Sequence, residues 1–354
     1  MVYKCFMNRI ITLLLLIIAA RVHAQVRTDT FSFSFEGKRL SGLLDLPGNK
    51  PPGGLVILVP GSGKTNIAAE SWSGLRRCFA EQGFVCLVWD KAGCGKSEGV
   101  FDNQQPVQNS AGEVVAAITE AKARHMAGSE KIGLWGISRA GWICPLVIEQ
   151  IPIAFWISVS GTDDKETFGY LLEKNFLIEG RSEAQTKMLM SEWRRGIEIA
   201  RTGGTFEENL KATENLRNDP FYKYMSNNGV PTKEGFLNWQ KQIQAGETVI
   251  DSETDLTIYV RDFDKLLSKI NCPVLAISGE KDSQVDQQKT IALYRKTIGK
   301  NPASSLTVKM LPDCNHSMFK CKTGGYREDL ATWQPCTGYY NAISSWLKEK
   351  GFAN

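Results

Sequence analysis

The sequence predicts an α/β domain: a mainly parallel sheet covered by helices on both faces, with a mostly helical cap inserted into it. Three observations predict it. Leu55-Val-Ile-Leu-Val59, Val85-Cys-Leu-Val-Trp89, Ile132-Gly-Leu-Trp135, Ala154-Phe-Trp-Ile-Ser-Val159 and Val274-Leu-Ala-Ile277 are short, unbroken apolar runs, as expected of strands buried on both faces. Segments of helical period lie between most of them. The alternation breaks between Gly161 and Ile270, a stretch rich in Glu, Lys, Asn and Arg that is too long to be a loop within a compact domain.

In chain order, Lys4 and Arg9 precede an apolar run from Ile10 to Ala20, and small or aliphatic residues follow at Val22-His-Ala24. This resembles a secretory signal at 1–24, cleaved near Ala24, so the mature chain is expected to be exported and to start at Gln25 in an oxidising compartment. The run falls short of the roughly 20 residues that cross a bilayer, so no stable membrane anchor is expected after cleavage. From Thr28 to Leu46 polar and apolar residues roughly alternate around Gly37, which predicts an antiparallel hairpin. Helices are expected at Trp72–Gln82, Val107–Met126 and Ala140–Gln150. The core should therefore run over 25–161 and resume over 271–354, with the insertion at 162–270 and helical pieces near Leu171–Phe176, Ala184–Ala200 and Glu207–Arg217. Trp193, Trp239, Phe176 and Phe236 are candidate apolar walls for a substrate pocket under this cap.

Composition narrows the function classes. Of the 354 residues 42% are hydrophobic, enough for a sizeable core, and a net charge of +4 without basic runs gives no support for nucleic-acid binding. Removing the leader takes Cys5 with it and leaves an even number of cysteines. Cys86 and Cys144 sit in apolar runs and read as small buried residues, whereas Cys314, Cys321 and Cys336 cluster late, where disulfides would fix loops; their pairing stays open. Their spacing suits no zinc site, and no metal or cofactor is implied.

The histidines are the sharpest clue to chemistry. His23 lies in the leader and His125 in a charged stretch, so His316, in Leu311-Pro-Asp-Cys-Asn-His-Ser-Met318, is almost the only imidazole available. Upstream, Lys131-Ile-Gly-Leu-Trp-Gly-Ile-Ser-Arg-Ala-Gly141 reads as a strand running through a tight turn into a helix, with Ser138 at the tip. A serine hydroxyl needs a base in hydrogen-bond reach and donors for the developing oxyanion. Strand Leu55–Val59 ends in Pro60-Gly-Ser-Gly63, whose glycines let a backbone N–H turn toward a reaction centre. Strand Val274–Ile277 ends in Ser278-Gly-Glu-Lys-Asp282, which sets a carboxylate at its carboxyl end, and Leu306-Thr-Val-Lys-Met-Leu311 leads to His316. Gly61-Ser-Gly-Lys-Thr65 and Gly93-Cys-Gly-Lys-Ser97 end like phosphate-binding loops, but Leu58 and Asp90 replace the opening glycine and the nucleotide reading is set aside.

With these residues the chain resembles the α/β-hydrolase superfamily from Thr28 to Leu347, and Gly136-Ile-Ser138-Arg-Ala140 resembles its nucleophile turn, with Ala140 where glycine is usual. Trp89-Asp-Lys-Ala-Gly-Cys-Gly-Lys-Ser97 resembles the Asp-x-Arg-Gly-x-Gly-x-Ser loop and departs from it at Lys91-Ala92. The resemblance implies Ser138 as nucleophile, His316 as general base and Asp282 as the residue orienting it. The amides of Ser62 and Arg139 are then the oxyanion donors. Asp286 and Asp313 are rivals for the acid, and Asp90 is expected to brace its own loop. The Arg139 side chain has two readings, as a binder of a substrate carboxylate or as a surface group. Among relatives, bacterial serine carboxylesterases with a helical cap look most similar. The expected activity is cleavage of a small-molecule carboxylic ester through an acyl-enzyme. The competing readings are the same machinery on peptide or thioester bonds, or an inactive binding protein that keeps the fold. Oligomeric state and natural substrate are left open.

Overall fold

The computed structural model describes residues 26–48, 51–251, 253–254, 256–330 and 333–353, so the leader expected at 1–24 and its cleavage near Ala24 lie outside the described residues. The expected hairpin forms from β1 (Arg27–Phe35) and β2 (Lys38–Leu46), paired antiparallel along their whole length. Both residues of its turn, Glu36 and Gly37, have positive φ, the backbone that a two-residue hairpin loop demands.

The five apolar runs then become β3 (Gly54–Val59), β4 (Phe84–Trp89), β5 (Ile132–Ile137), β6 (Phe155–Val159) and β9 (Pro273–Gly279), and the more polar stretch leading to His316 becomes the edge strand β10 (Ser305–Leu311). Together with the hairpin they form an 8-stranded sheet in the order β1-β2-β4-β3-β5-β6-β9-β10, parallel from β4 onward. Unbroken apolarity is needed because alternate side chains enter two separate cores. Leu55, Ile57, Val85, Leu87 and Trp89 point to one core, against helices Val107–Ala123, Ala140–Ile148 and Gln287–Lys296. Val56, Leu58, Phe84, Cys86 and Val88 point to the other, against helices Glu70–Glu81 and Tyr339–Glu349. Each such aliphatic side chain, taken fully out of water, contributes about 1.5–3 kcal/mol before the entropy of ordering it is set against it. Cys86 and Cys144 are fully buried, and burial raises both thiols, which keeps them protonated and inert.

The inserted stretch is mostly helical: Phe168–Ile178, Glu183–Arg201, Phe206–Ala212, Glu214–Asn218, Pro220–Met225 and Lys233–Gln244. Their starts are written locally. Ser182 with Gln185 and Thr205 with Glu208 form capping boxes, and Asp219 caps a helix whose first residue is Pro220. A small hairpin, β7 (Val249–Ile250) and β8 (Thr257–Ile258), follows. Helix Phe263–Ser268, expected inside the insertion, belongs with the main domain instead: Phe263, Leu266 and Leu267 are buried in the first core. Phe176 was expected as a pocket wall and is not one, since it is fully buried in the insertion's own core against Phe221. Trp193, Phe236 and Trp239 line a cavity of ≈ 340 Å³ confined to the insertion. Among the described residues no helix is long and apolar enough to cross a membrane.

Candidate active site

β5 delivers Ser138 to the rim where the strands end. Its φ of 57° is left-handed, sparsely allowed for a residue with a side chain, and it turns the chain sharply from strand into helix Ala140–Ile148. The turn is held at both sides: Ser138 N donates to Val159 O (2.9 Å) and Gly141 N to Ser138 O (2.7 Å). Small neighbours make it possible. A methyl group on Gly136 would fall 2.8 Å from the Ala140 Cβ and 2.7 Å from Cys144 Sγ, so the extra methyl of Ala140 fits because position 136 carries none. A methyl on Gly141 would meet Thr162 N at 2.6 Å. The Ser138 hydroxyl makes no hydrogen bond among the described residues.

β9 delivers the candidate acid. Asp282 begins the turn after that strand, and its Oδ1 accepts from the Gln284 and Val285 amides at 2.8 and 3.0 Å. Its Oδ2 accepts from Gln287 Nε2 and from His316 Nδ1, each at 2.9 Å. The side chains are 1% and 8% exposed, so the Asp282–His316 contact is made out of water. With Nδ1–H donating to the carboxylate, Nε2 carries the free lone pair that a base requires. The rival carboxylates Asp286 and Asp313 are engaged elsewhere: Asp286 caps helix Gln287–Lys296, and Asp313 pairs with Lys281 at 2.6 Å.

His316 is held in place by the loop after β10. Asn315 Oδ1 accepts from the Ser317 and Phe319 amides, both at 3.0 Å, and a disulfide joins Cys314 to Cys336. The loop lies hard against the end of β9, where a methyl on Gly279 would fall 2.3 Å from Cys314 O. Ser138 and the His316 loop are both tied to the end of β6: Val159 O takes the Ser138 amide, and the next residue, Ser160, donates its hydroxyl to His316 O at 2.8 Å. A cavity of ≈ 250 Å³ is lined by Ile137 and Ser317, the sequence neighbours of Ser138 and His316, and walled by Trp72, Leu75, Trp135 and Phe319.

The loop after β3 flanks Ser138, for a methyl on Gly61 would sit 3.2 Å from Ser138 Cβ. The Ser62 and Arg139 amides donate to no described residue. Arg139's side chain has neither expected role: it is buried and donates to Ser110 Oγ and Gln105 O, away from solvent. Asp90 does brace loops, accepting from the Ile67 amide at 3.1 Å and packing against Gly95. Among the described residues no group of three or more His, Cys, Asp and Glu could hold a metal ion.

Two participants were missed by sequence reasoning. Gln287 holds Asp282 and is itself oriented by Ser278, whose Oγ donates to Gln287 Oε1 at 2.5 Å. Lys91, noted only as a departure from a motif, reaches the loop beside Ser138 and donates to the carbonyls of Gly61, Ser62 and Gly63. A signal existed for Gln287, which opens a helix five residues after the acid, but nothing in sequence separates it from an ordinary surface glutamine.

Comparison with known proteins agrees with this fold. The family described as X-Pro dipeptidyl-peptidase (S15 family) matches residues 36–311. Among solved structures, the esterase Pf2001 of Pyrococcus furiosus is similar with a TM-score of 0.54 at 13% identity, over 92% of this chain and 91% of that one. DcsB, solved in complex with a substrate analogue, gives 0.53 at 14% identity over 91% and 99% of the two chains. ATU1826 of Agrobacterium tumefaciens, described as an α/β hydrolase, gives 0.50 at 13% over 91% and 96%. At such identities the likeness establishes the fold, which is that of the α/β hydrolases. No curated protein matches the chain.

Proposed function

The chain belongs to the X-Pro dipeptidyl-peptidase (S15) family of serine hydrolases, and on that premise we propose that it cleaves small carboxylic esters through an acyl-enzyme on Ser138. The observation that carries the reading is the buried 2.9 Å bond from His316 Nδ1 to Asp282, at the rim that presents Ser138. In the first half-reaction Ser138 Oγ attacks the ester carbonyl carbon and His316 Nε2 takes its proton. The amides of Ser62 and Arg139 receive the developing oxyanion. Collapse breaks the bond to the alkoxide, which leaves as the alcohol with the proton from His316. Water then repeats the sequence on the acyl-enzyme, releasing the carboxylic acid and restoring Ser138.

The cavity beside Ile137 and Ser317 supports an ester over an amide. Its walls are chiefly the apolar Trp72, Leu75, Trp135, Met318, Phe319 and Pro335, and side-chain hydroxyls line it only at Ser71, Ser317, Tyr339 and Tyr340. Burying an amide without a partner costs about 1–3 kcal/mol, whereas an ester carries no N–H to satisfy. The family description favours a second reading, release of X-Pro dipeptides from peptides. Comparing p-nitrophenyl acetate and butyrate with glycyl-prolyl p-nitroanilide separates the two. We expect the esters to have the higher kcat/KM, and a preference for the anilide would transfer the assignment to peptide bonds.

Export is part of the same proposal. The leader pattern supports it, and the Cys314–Cys336 disulfide suits an oxidising compartment. N-terminal sequencing of protein recovered outside the cytoplasm should begin at Gln25; retention of residues 1–24 on an intracellular product would reject it.

A further inference from the structure

Resting on the reading of Ser138 as nucleophile, we propose that Lys91 is a positioning residue that sets the oxyanion-binding amide of Ser62. Its ammonium collects three successive carbonyls of the loop after β3: Gly61 O, Ser62 O at 3.2 Å and Gly63 O at 3.0 Å. A peptide unit is planar and trans, so its N–H points opposite to its C=O. Fixing Gly61 C=O on the ammonium therefore fixes the Ser62 N–H on the far side of that peptide plane. Gly61 itself lies against Ser138, since a methyl group on it would fall 3.2 Å from Ser138 Cβ and 3.3 Å from Ile137 O. Loops free of such a tie would let this peptide rotate, and glycines at 61 and 63 make rotation easy.

Lys91 is built into the site from several sides. Its own amide donates to Thr65 Oγ1 at 2.8 Å, at the far end of the same loop, and the preceding residue, Asp90, takes the Ile67 amide. Arg76 adds a third tie by donating to Ile67 O at 2.9 Å. The Phe101 ring lies 5.9 Å from the Lys91 ammonium and 5.8 Å from that of Lys64. Burial foremost, and then the neighbouring Arg139 cation, lower Lys91 to about 8, against the opposing pull of Glu113 and Cys94. As pH rises through that value the ammonium becomes an amine with two N–H donors for three carbonyls, and its hold on the loop weakens.

The test uses p-nitrophenyl acetate and three forms of the full chain: wild type, Lys91→Met and Lys91→Arg. Removing one oxyanion donor elsewhere costs about 100- to 1000-fold in kcat. Lys91→Met leaves the amide in place but mobile, and we expect kcat to fall about 10- to 100-fold with KM changed less than about threefold. Wild-type kcat should also decline above pH 8, while Lys91→Arg, which stays charged, should hold its rate there. Wild-type kcat in Lys91→Met, or a loss confined to KM, overturns the proposal. Should Lys91→Met fail to fold, an identical alkaline decline in wild type and Lys91→Arg overturns it equally. If Ser138→Ala is fully active the reading of the site fails first, so the two failures are told apart.

Discussion

Ser138→Ala is expected to lower kcat toward p-nitrophenyl acetate by a factor on the order of 10⁵–10⁶, while the protein stays folded. The nucleophile supplies the covalent step, and the remaining donors alone leave only about 10³–10⁴-fold acceleration over water. The same variant separates an active hydrolase from an inactive binding protein. Wild type should react with a fluorophosphonate at one serine, and Ser138→Ala should not. A wild-type chain that is inert to the reagent would leave the fold as a scaffold for binding. Ser138→Gly extends the argument to stability. The φ of 57° costs a residue with a side chain about 1–3 kcal/mol, and glycine occupies that region freely. Ser138→Gly should therefore be as inactive as Ser138→Ala and more stable than it to urea, by about 1 kcal/mol. Equal stability of the two would mean that the turn holds no strain.

The parts of this molecule that follow from short stretches of chain were legible in its sequence. The central strands show as unbroken apolar runs because each feeds both cores, and the hairpin shows because one turn dictates its register. The placement of Ser138, Asp282 and His316 was legible for a related reason: each follows a strand, and parallel strands bring their carboxyl ends to one rim. Interactions between distant side chains left no such trace. Gln287 reaches Asp282 only because Ser278 turns its amide, and Lys91 reaches Gly61 only because β3 and β4 are neighbours. The placement of helix Phe263–Ser268 escaped because its composition matches the insertion before it, and only its apolar face shows where it packs. The Cys314–Cys336 pairing escaped because Cys321 stands between them with equal claim by spacing. Cys321 remains unpaired on the partly exposed side of that loop.

Asp282→Asn should be the second most damaging change, and the hydrogen bonds around it dictate how. Oδ1 faces two backbone donors, Gln284 N–H and Val285 N–H, neither of which can become an acceptor. The new amide must therefore keep its oxygen there and turn its NH₂ toward Gln287 and His316. Gln287 can adapt by rotating its own amide, since the Ser278 hydroxyl accepts as readily as it donates. His316 can adapt only by making Nδ1 the acceptor, which moves the ring proton to Nε2 and removes the lone pair that should take the Ser138 proton. The geometry survives and the chemistry does not, so kcat should fall by about 10⁴ with KM little changed, as for a triad forced into the wrong tautomer. Ring nitrogen NMR should show the protonated nitrogen moving from Nδ1 to Nε2. Asp286→Asn is the control, because asparagine caps a helix about as well as aspartate and leaves His316 untouched. A drop of less than tenfold in Asp282→Asn, or an equal drop in Asp286→Asn, would show that His316 does not depend on Asp282 for its catalytic tautomer.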